Sequence, residues 1–415
     1  MRTPLVRTPE EAGSPGRPRV VLGVSAGIAA YKACELLRLF TESGHDVRVV
    51  PTREALRFVG EPTWAALSGN PVTTDVWESV HEVPHVRIGQ GADLVVVAPA
   101  TADVLAKAAH GLAGDLLTNT LLTARCPVVF APAMHTEMWE HPATRANVAT
   151  LRERGSIVVD PAVGRLTGAD TGPGRLPDPK EIFEVCRRVI AGRPADLAGR
   201  HLVISAGGTR EAIDPVRFIG NRSSGLQGYA LARTAVARGA EVTLVAANVG
   251  LPDPAGARVV RVESALELRA AVLDAVEGAD AVVMAAAVAD FRPSARSGSK
   301  IKKTAGEPDA IHLLKNPDIL AELGERRREG LKPYPRVIAG FAAETDDVLA
   351  NGRAKLARKG CDLLVVNQVG DGLAFGTPDN AAVVLTADGE QVEIPRGPKE
   401  ALADTVWDLV AARLT

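Results

Sequence analysis

Aromatic side chains account for only 4% of the 415 residues. Such scarcity argues against a β-sandwich, and with abundant alanine and glycine it suits helices packed closely on a parallel sheet. Cysteine is also rare. Cys34, Cys126, Cys186 and Cys361 stand far apart with no CxxC spacing, which excludes a small disulfide framework and suggests reduced thiols. Charge of one sign is missing: 48 Lys and Arg face 50 Asp and Glu, for a formal net charge of -2. No global basic field therefore invites nucleic acid or an anionic membrane, and partners should be small molecules or protein. No apolar run approaches the roughly 20 residues that span a bilayer. The start, MRTPLVRTPEEAGSPGRP, has no apolar stretch resembling a signal peptide, so a cytoplasmic location is expected. A GxGxxG turn followed about 20 positions on by an acidic residue is absent too, which weakens a nicotinamide dehydrogenase.

What is present repeats itself. Residues 1–17 lack apolar periodicity and should form a mobile tail. Val20 to Val24 then reads as a strand, Ser25-Ala26-Gly27 as a turn, Ile28 to Ser43 as an amphipathic helix and Val47 to Val50 as a second strand. That is a βαβ unit with a right-handed crossover. The continuous apolar run Leu94 to Ala98 predicts a central strand, with Val128 to Ala131 and Ile157 to Val159 as further strands. Helices are expected near Ala102 to Ala109, Pro142 to Arg154 and Pro179 to Ala191. Around Gly192 to Asp196 the pattern becomes a linker and then restarts: strand His201 to Ser205, glycines Gly207 and Gly208, helix Leu226 to Arg238, strand Val242 to Ala246. Apolar runs at Ala281 to Ala287, Val337 to Gly340 and Leu363 to Val366 alternate with helical segments at Ala265 to Val276, Pro317 to Arg328 and Val348 to Lys359. A hairpin, Val383 to Thr386 and Gln391 to Ile394 around Asp388-Gly389, precedes a C-terminal helix. The fold class expected is α/β, with two tandem Rossmann-like parallel-sheet domains at 18–192 and 200–415 joined by a linker at 193–199.

In the first domain the Ser25-Ala26-Gly27-Ile28 turn aims backbone N–H groups where a phosphate can sit, although a plain tight turn explains it equally. Thr52 and Thr101 follow the second and third strands at the same carboxyl edge, where open α/β sheets place ligands. Together with SAGIAAYK at 25–32, the segments Ala98-Pro99-Ala100-Thr101-Ala102-Asp103 and Ala131 to Trp139 (APAMHTEMW) resemble the flavin-dependent cysteine decarboxylases. Their hallmarks are a PASANT-like and a PxMNxxMW segment, and the resemblance spans roughly residues 18–190. It implies a flavodoxin-like fold with FMN at the strand ends near Ser25, Gly27, Ile28, Thr52, Ala98 and Thr101, and a peptidyl or pantothenoyl cysteine as substrate near Met134, His135 and Met138. It also implies that His85 takes part in oxidising the substrate thiol, for an imidazole titrates close enough to neutrality to accept a thiol proton. Without that context, His85 reads as a surface or capping histidine. Two departures stand out: His135 replaces the family asparagine, and Gly168 occupies the position of a cysteine that protonates the enethiolate in related enzymes. Thr167, Asp170 or water then becomes the candidate proton donor.

In the second domain the run HLVISAGGTREAIDPVRFIGNRSSGLQG at 201–228 places two glycine-bearing, phosphate-friendly turns around a strand exit and helix start. With Met284 to Asp290 (MAAAVAD), Lys300-Ile301-Lys302-Lys303 and Gly340 to Thr345 (GFAAET), it resembles the phosphopantothenate-cysteine ligases. The order decarboxylase then ligase is similar to bifunctional bacterial enzymes of coenzyme A biosynthesis. In such enzymes CTP converts phosphopantothenate to an acyl-cytidylate, the amine of cysteine attacks it, and the product feeds the decarboxylase. The resemblance implies that Asn221 contacts the carboxylate or acyl-cytidylate and that Phe341 touches the base. Nucleotide contacts are implied at Ser223, Ser224, Gly225, Met284, Ala285, Ala286, Asp290 and Pro317-Asp318-Ile319-Leu320. Lys300, Lys355, Lys359 and Mg2+ would offset the triphosphate charge, Lys300 as a catalytic group; from residues alone, the metal ligands are unassigned. Each also has a plain structural explanation: the lysines as solvated faces, Asp290 as a helix cap. A homo-oligomer is expected from the family. A flavin-binding regulatory protein with an inactive first domain is the alternative, motivated by His135 and Gly168.

Overall fold

Every residue of Leu94–Ala100 is buried, and this run of valines and alanines forms the middle of a five-stranded sheet covered on both faces. The computed structural model describes residues 16–72, 83–166, 171–193, 195–302, 310–344, 348–368 and 379–415. The chain divides into two units, Met1–Pro194 and Ala195–Thr415.

The first unit has strands β1 (Arg19–Val24), β2 (Asp46–Pro51), β3 (Leu94–Ala100), β4 (Val128–Pro132) and β5 (Ile157–Val158), and a hairpin of β6 (Ala162–Arg165) and β7 (Thr171–Arg175). The sheet order is β2-β1-β3-β4-β5, with all neighbours parallel. This is the flavodoxin-type order, and its direction of winding reverses between β1 and β3. The expected helix over Ile28 to Ser43 is divided: a 3-10 segment covers Ile28–Lys32, and α-helix runs only from Ala33 to Glu42. Ile28 and Tyr31 are 75% and 60% exposed, so the buried stripe begins with Ala30 and Ala33 and continues through Leu36, Leu37 and Phe40. Helices Glu61–Ser68, Pro84–Gly91 and Leu116–Thr123 were not legible in the pattern. Leu116–Thr123 reads LLTNTLLT; its threonines disfavour helix intrinsically, but a capping box at Asp115 starts it and burial against the sheet sustains it.

The second unit contains β8 (His201–Gly207), β9 (Arg210–Ala212), β10 (Phe218–Gly220), β11 (Glu241–Ala247), β12 (Ala257–Val262), β13 (Ala281–Met284), β14 (Phe291–Pro293), β15 (Leu313–Lys315), β16 (Val337–Glu344), β17 (Leu363–Gln368), β18 (Asp379–Thr386) and β19 (Gln391–Pro398). Its main sheet runs β12-β11-β8-β13-β16-β17-β18-β19. The first six are parallel, in the order of a dinucleotide-binding sheet with its reversal between β8 and β13. The expectation of a parallel sheet needs one correction: the C-terminal hairpin, with longer arms than expected, joins the same sheet antiparallel at β17. Pairing with β17 covers an edge that would otherwise present unpaired backbone groups. Hydrophobic cores line both faces, one around Tyr229, Leu231 and Trp407 and the other around Leu268, Val272 and Leu323.

Candidate active sites

Several candidate residues lie just past the carboxyl ends of strands, whereas Lys355 and Lys359 lie in the last turns of helix Val348–Lys359, next to the start of β17. In the first unit, Ser25 leaves β1 and points inward. Its Oγ donates to the Pro99 carbonyl at 2.7 Å and accepts from the Thr101 N–H at 2.9 Å, while its own N–H donates to Pro99 O at 3.2 Å. The buried hydroxyl thus ties the ends of β1 and β3 together; it is the backbone of the turn that faces outward. Thr52 N–H donates to Val24 O at 2.9 Å, bringing the end of β2 alongside. Thr101 caps the helix Ala102–His110. Over this edge there is room: a Cβ on Gly27 would meet no atom within 4 Å. Ser25, Gly27, Ile28, Thr52, Ala98 and Thr101 therefore share one rim.

Met134 and His135 follow β4, with Met138 on the short helix Thr136–Glu140. The β6–β7 hairpin lies on them: Met134 N–H donates to Gly174 O at 2.9 Å, and a Cβ on Gly172 would collide with Thr136 Oγ1. The hairpin's tip, including Thr167, Gly168 and Asp170, lies outside the described residues. His85 sits in the first turn of helix Pro84–Gly91, which leads through Ala92-Asp93 into β3. Thr123 Oγ1 donates to His85 O at 2.7 Å, fixing the backbone against helix Leu116–Thr123. The ring atom Nδ1 is buried and has no hydrogen-bond partner among the described residues. A buried polar atom left open is costly unless something else meets it.

In the second unit β8 and β13 are neighbours at the reversal point and stay bridged past their ends, where Gly208 pairs with Ala287. Ser205 Oγ accepts from Ala286 N–H at 3.1 Å, and Ala287 N–H donates to Gly207 O at 2.7 Å. Gly207 has φ 85° and lies so close to Ala247 O that a side chain there would collide. Asn221 donates through Nδ2 to Val288 O at 2.9 Å, which places it beside the Met284 to Asp290 segment. Ser223 Oγ accepts from Gly225 N–H at 3.3 Å ahead of helix Leu226–Ala237. Asp318 caps helix Ile319–Glu329 and is ion-paired with Lys359 from helix Val348–Lys359. Burial pushes the Asp318 carboxyl up, but Lys359 and the Ala321 N–H outweigh it and hold the group below its ordinary range. Lys359 thus reaches the Pro317–Leu320 segment, with its charge already engaged by Asp318; Lys355 lies one turn earlier on that helix. Leu320 packs where a Cβ on Gly340 would be, next to Phe341. Lys300 is exposed, and its neighbour Ile301 is held at both peptide groups: its N–H donates to Asp214 at 3.2 Å and its carbonyl accepts from Arg217 at 2.8 Å.

Three buried polar residues of this edge escaped sequence reasoning: Thr209, Asp214 and Asn316. Thr209 and Asp214 lie within the glycine-bearing block 201–228 and Asn316 directly precedes Pro317, so position was the only available signal. Their bonds run to segments 27 to 87 positions away. The free cysteines are poor acids: burial raises Cys126 and Cys361 to about 11 and Cys186 further.

Residues 9–191 match a flavoprotein family, and residues 197–414 match the C-terminal domain of DNA/pantothenate metabolism flavoproteins. The chain is 58% identical over 406 residues to a coenzyme A biosynthesis bifunctional protein of Mycolicibacterium smegmatis, covering 96% of this chain and 98% of that protein. It is 43% identical to the protein of the same description from Bacillus subtilis, covering 91% and 92%. Among solved structures, the C-terminal domain of a coenzyme A biosynthesis bifunctional protein aligns at 36% identity over 53% of this chain and 98% of its own, with TM-score 0.45. A mutant PPC decarboxylase complexed with pantothenoylaminoethenethiol aligns at 33% identity over 41% and 97%, with TM-score 0.39. The regulatory alternative finds no support among these relatives. Among the described residues no helix is long and apolar enough to cross a membrane.

Proposed function

This chain belongs to the family of bifunctional coenzyme A biosynthesis proteins, and from that premise we propose that it ligates cysteine to 4'-phosphopantothenate at the expense of CTP and then decarboxylates the product to 4'-phosphopantetheine. Residues 200–415 act first and residues 18–192 second, because the ligated amino acid is the group that loses CO2. The tail at 1–17 carries no chemistry in this reading, nor does the expected linker at 193–199, of which residues 195–199 fall within the second unit, with Leu197 in its core.

One observation carries the assignment: the buried Nδ1 of His85, without a hydrogen-bond partner among the described residues, in a unit whose sheet order reverses between β1 and β3. The residues there suit FMN. The turn from Ala26 to Ile28 lies below open space, Thr52 and Thr101 flank it, and Ala98 belongs to the adjoining strand β3. When bound, FMN would take an electron pair from the thiol-bearing carbon before CO2 leaves and return it afterwards, so that the decarboxylation is redox-neutral overall. His85 takes the thiol proton, and Met134, His135 and Met138 hold the substrate's carboxylate end under the β6–β7 hairpin, which excludes water. His135 offers a ring N–H to the carboxylate where relatives of the cysteine decarboxylases offer an amide.

In the second unit a carboxylate oxygen of phosphopantothenate attacks the α-phosphorus of CTP and releases pyrophosphate; the cysteine amine then attacks the acyl carbon and CMP leaves. Asn221 orients the acyl group. Ser223, Ser224, Gly225, Met284, Ala285, Ala286, Asp290, the Pro317-Asp318-Ile319-Leu320 segment and Phe341 form the nucleotide cleft. Lys300 and Lys355 offset the charge that develops on the phosphates, and Lys359 joins them by exchanging Asp318 for a phosphate oxygen. A Mg2+ ion belongs on the triphosphate, where phosphate oxygens supply most of its ligands. Assembly as a homo-oligomer is part of the same reading.

The test is a mass balance. Supplied with phosphopantothenate, cysteine, CTP and Mg2+, the purified protein should yield phosphopantetheine, CMP, pyrophosphate and CO2. Protein that purifies without flavin colour and releases no CO2 from added phosphopantothenoylcysteine would refute the decarboxylase half.

A further inference from the structure

We propose that Asn316 is a positioning residue of the ligase site, the staple that holds the Ala287–Asp290 loop and the Pro317–Leu320 segment as one rigid nucleotide platform. The proposal rests on the nucleotide reading given above and goes beyond it to a residue outside every segment that reading uses.

The Ala287–Asp290 loop leaves β13 at the reversal point, and its peptide groups are claimed from three separate parts of the chain. Thr209 N–H donates to Ala287 O at 3.2 Å, Asn221 Nδ2 donates to Val288 O at 2.9 Å, and Ala289 N–H donates to the buried Thr209 Oγ1 at 2.9 Å. Asn316 meets two more carbonyls of the loop. Its Nδ2 donates to Ala289 O at 2.8 Å and its backbone N–H donates to Asp290 O at 2.8 Å. Its Oδ1 accepts from Arg292 Nη1 at 3.0 Å, beyond the loop. The side chain is 6% exposed, so these bonds face little competition from water. One residue later the chain enters Pro317-Asp318, where Asp318 accepts from Ala321 N–H at 3.1 Å and pairs with Lys359.

Chemistry singles out the amide. Ala289 O can only accept and the Arg292 guanidinium can only donate, so the residue between them must donate at one atom and accept at the other, within the length of an asparagine side chain. An aspartate would set an anion against the Ala289 carbonyl; an aliphatic residue would orphan both partners. Because Val288 O is the acceptor for Asn221, loosening this loop also frees the residue assigned to the acyl group.

The experiment uses the full flavin-loaded chain and measures KM for CTP, phosphopantothenate and cysteine separately, with the thermal midpoint and the decarboxylation of added phosphopantothenoylcysteine alongside. Asn316→Asp should raise KM for CTP about tenfold or more while changing KM for cysteine less than about twofold, and decarboxylation should stay unchanged. Thr209→Val should shift KM for CTP in the same direction, and Thr209→Ser, which keeps the hydroxyl, should restore it; this pair decides the matter should Asn316→Asp fail to fold. A lowered thermal midpoint with KM for CTP unchanged in both Asn316→Asp and Thr209→Val would reduce Asn316 to a structural residue and overturn the proposal. Equal increases in KM for CTP and cysteine would overturn it as well. Should the wild-type chain consume another nucleoside triphosphate in place of CTP, the nucleotide assignment fails, and the same KM comparison with that triphosphate still judges Asn316. A wild-type chain that consumes none overturns both.

Discussion

Met134 and Gly174 hold one another at the mouth of the first site: the Met134 N–H donates to Gly174 O at 2.9 Å, and Gly174, at φ 144°, lies so near the Met134 carbonyl that no side chain fits between them. The register of the β6–β7 hairpin over His135 depends on this approach. Only glycine combines that φ with that closeness.

Replacing Gly174 by alanine should therefore displace the hairpin from Met134. The expected result is a fall of about a hundredfold in kcat/KM for CO2 release, as for other misplacements near 1 Å, with cysteine ligation intact. Equal decarboxylation by Gly174→Ala and wild type would mean the hairpin has no part in substrate positioning.

His85→Asn should reduce CO2 release by about 10²- to 10⁴-fold, the usual worth of a positioned proton acceptor. Flavin absorbance and the thermal midpoint should persist, because the backbone contact from Thr123 is retained. Unchanged CO2 release would remove His85 from the mechanism.

Asp214 gives an acid-side signature. Hydrogen bonds from the Arg217 guanidinium hold its carboxyl well below the ordinary range; burial opposes this, and the N–H groups of Val216, Arg217 and Ile301 reinforce it. A depressed carboxyl pKa stabilises the fold above the unfolded value of about 3.9. That contribution is lost as pH falls through the folded value. Asp214→Asn should lower the thermal midpoint of the second unit at pH 7, and the gap from wild type should narrow below about pH 4. A gap that is constant with pH would show that charge is not what Asp214 contributes.

Arg238, whose side chain is 1% exposed, joins three acidic residues: Nε donates to Asp196 at 2.9 Å, and Nη1 donates to Asp408 Oδ1 at 2.7 Å and to the Asp404 carbonyl at 3.0 Å. It thereby fastens the start of the second unit and the C-terminal helix to helix Leu226–Ala237. Arg238→Met should destabilise that unit by about 2–3 kcal/mol, less than a fully enclosed pair because Asp196 and Asp408 keep water. Chemical denaturation followed by Trp407 fluorescence measures it; a loss under about 0.5 kcal/mol would place the network among ordinary surface pairs.

Local chemistry explains what could be read early. Valine-rich runs bounded by glycine turns write β1, β3, β8 and β11 directly into the chain, since strand burial on both faces leaves no room for polar side chains. Short pieces were less visible: β9, β10, β14 and β15 have three residues each, too few for alternation to register. Ile28 and Tyr31 misled the helix boundary because they are apolar yet face outward.

By itself, the sequence determined two α/β units, their order along the chain and the turns at the ends of their first strands, because periodicity and turn chemistry act over a few residues. Tertiary structure alone decided which groups are already engaged. Ser25 turns its hydroxyl into the Pro99–Thr101 junction, Lys359 meets Asp318, His85 Nδ1 finds no partner among the described residues, and Asn316 reaches Ala289 across 27 positions of chain. Hydrogen bonds of this kind depend on where the fold brings two segments together, and neither segment carries the other's address.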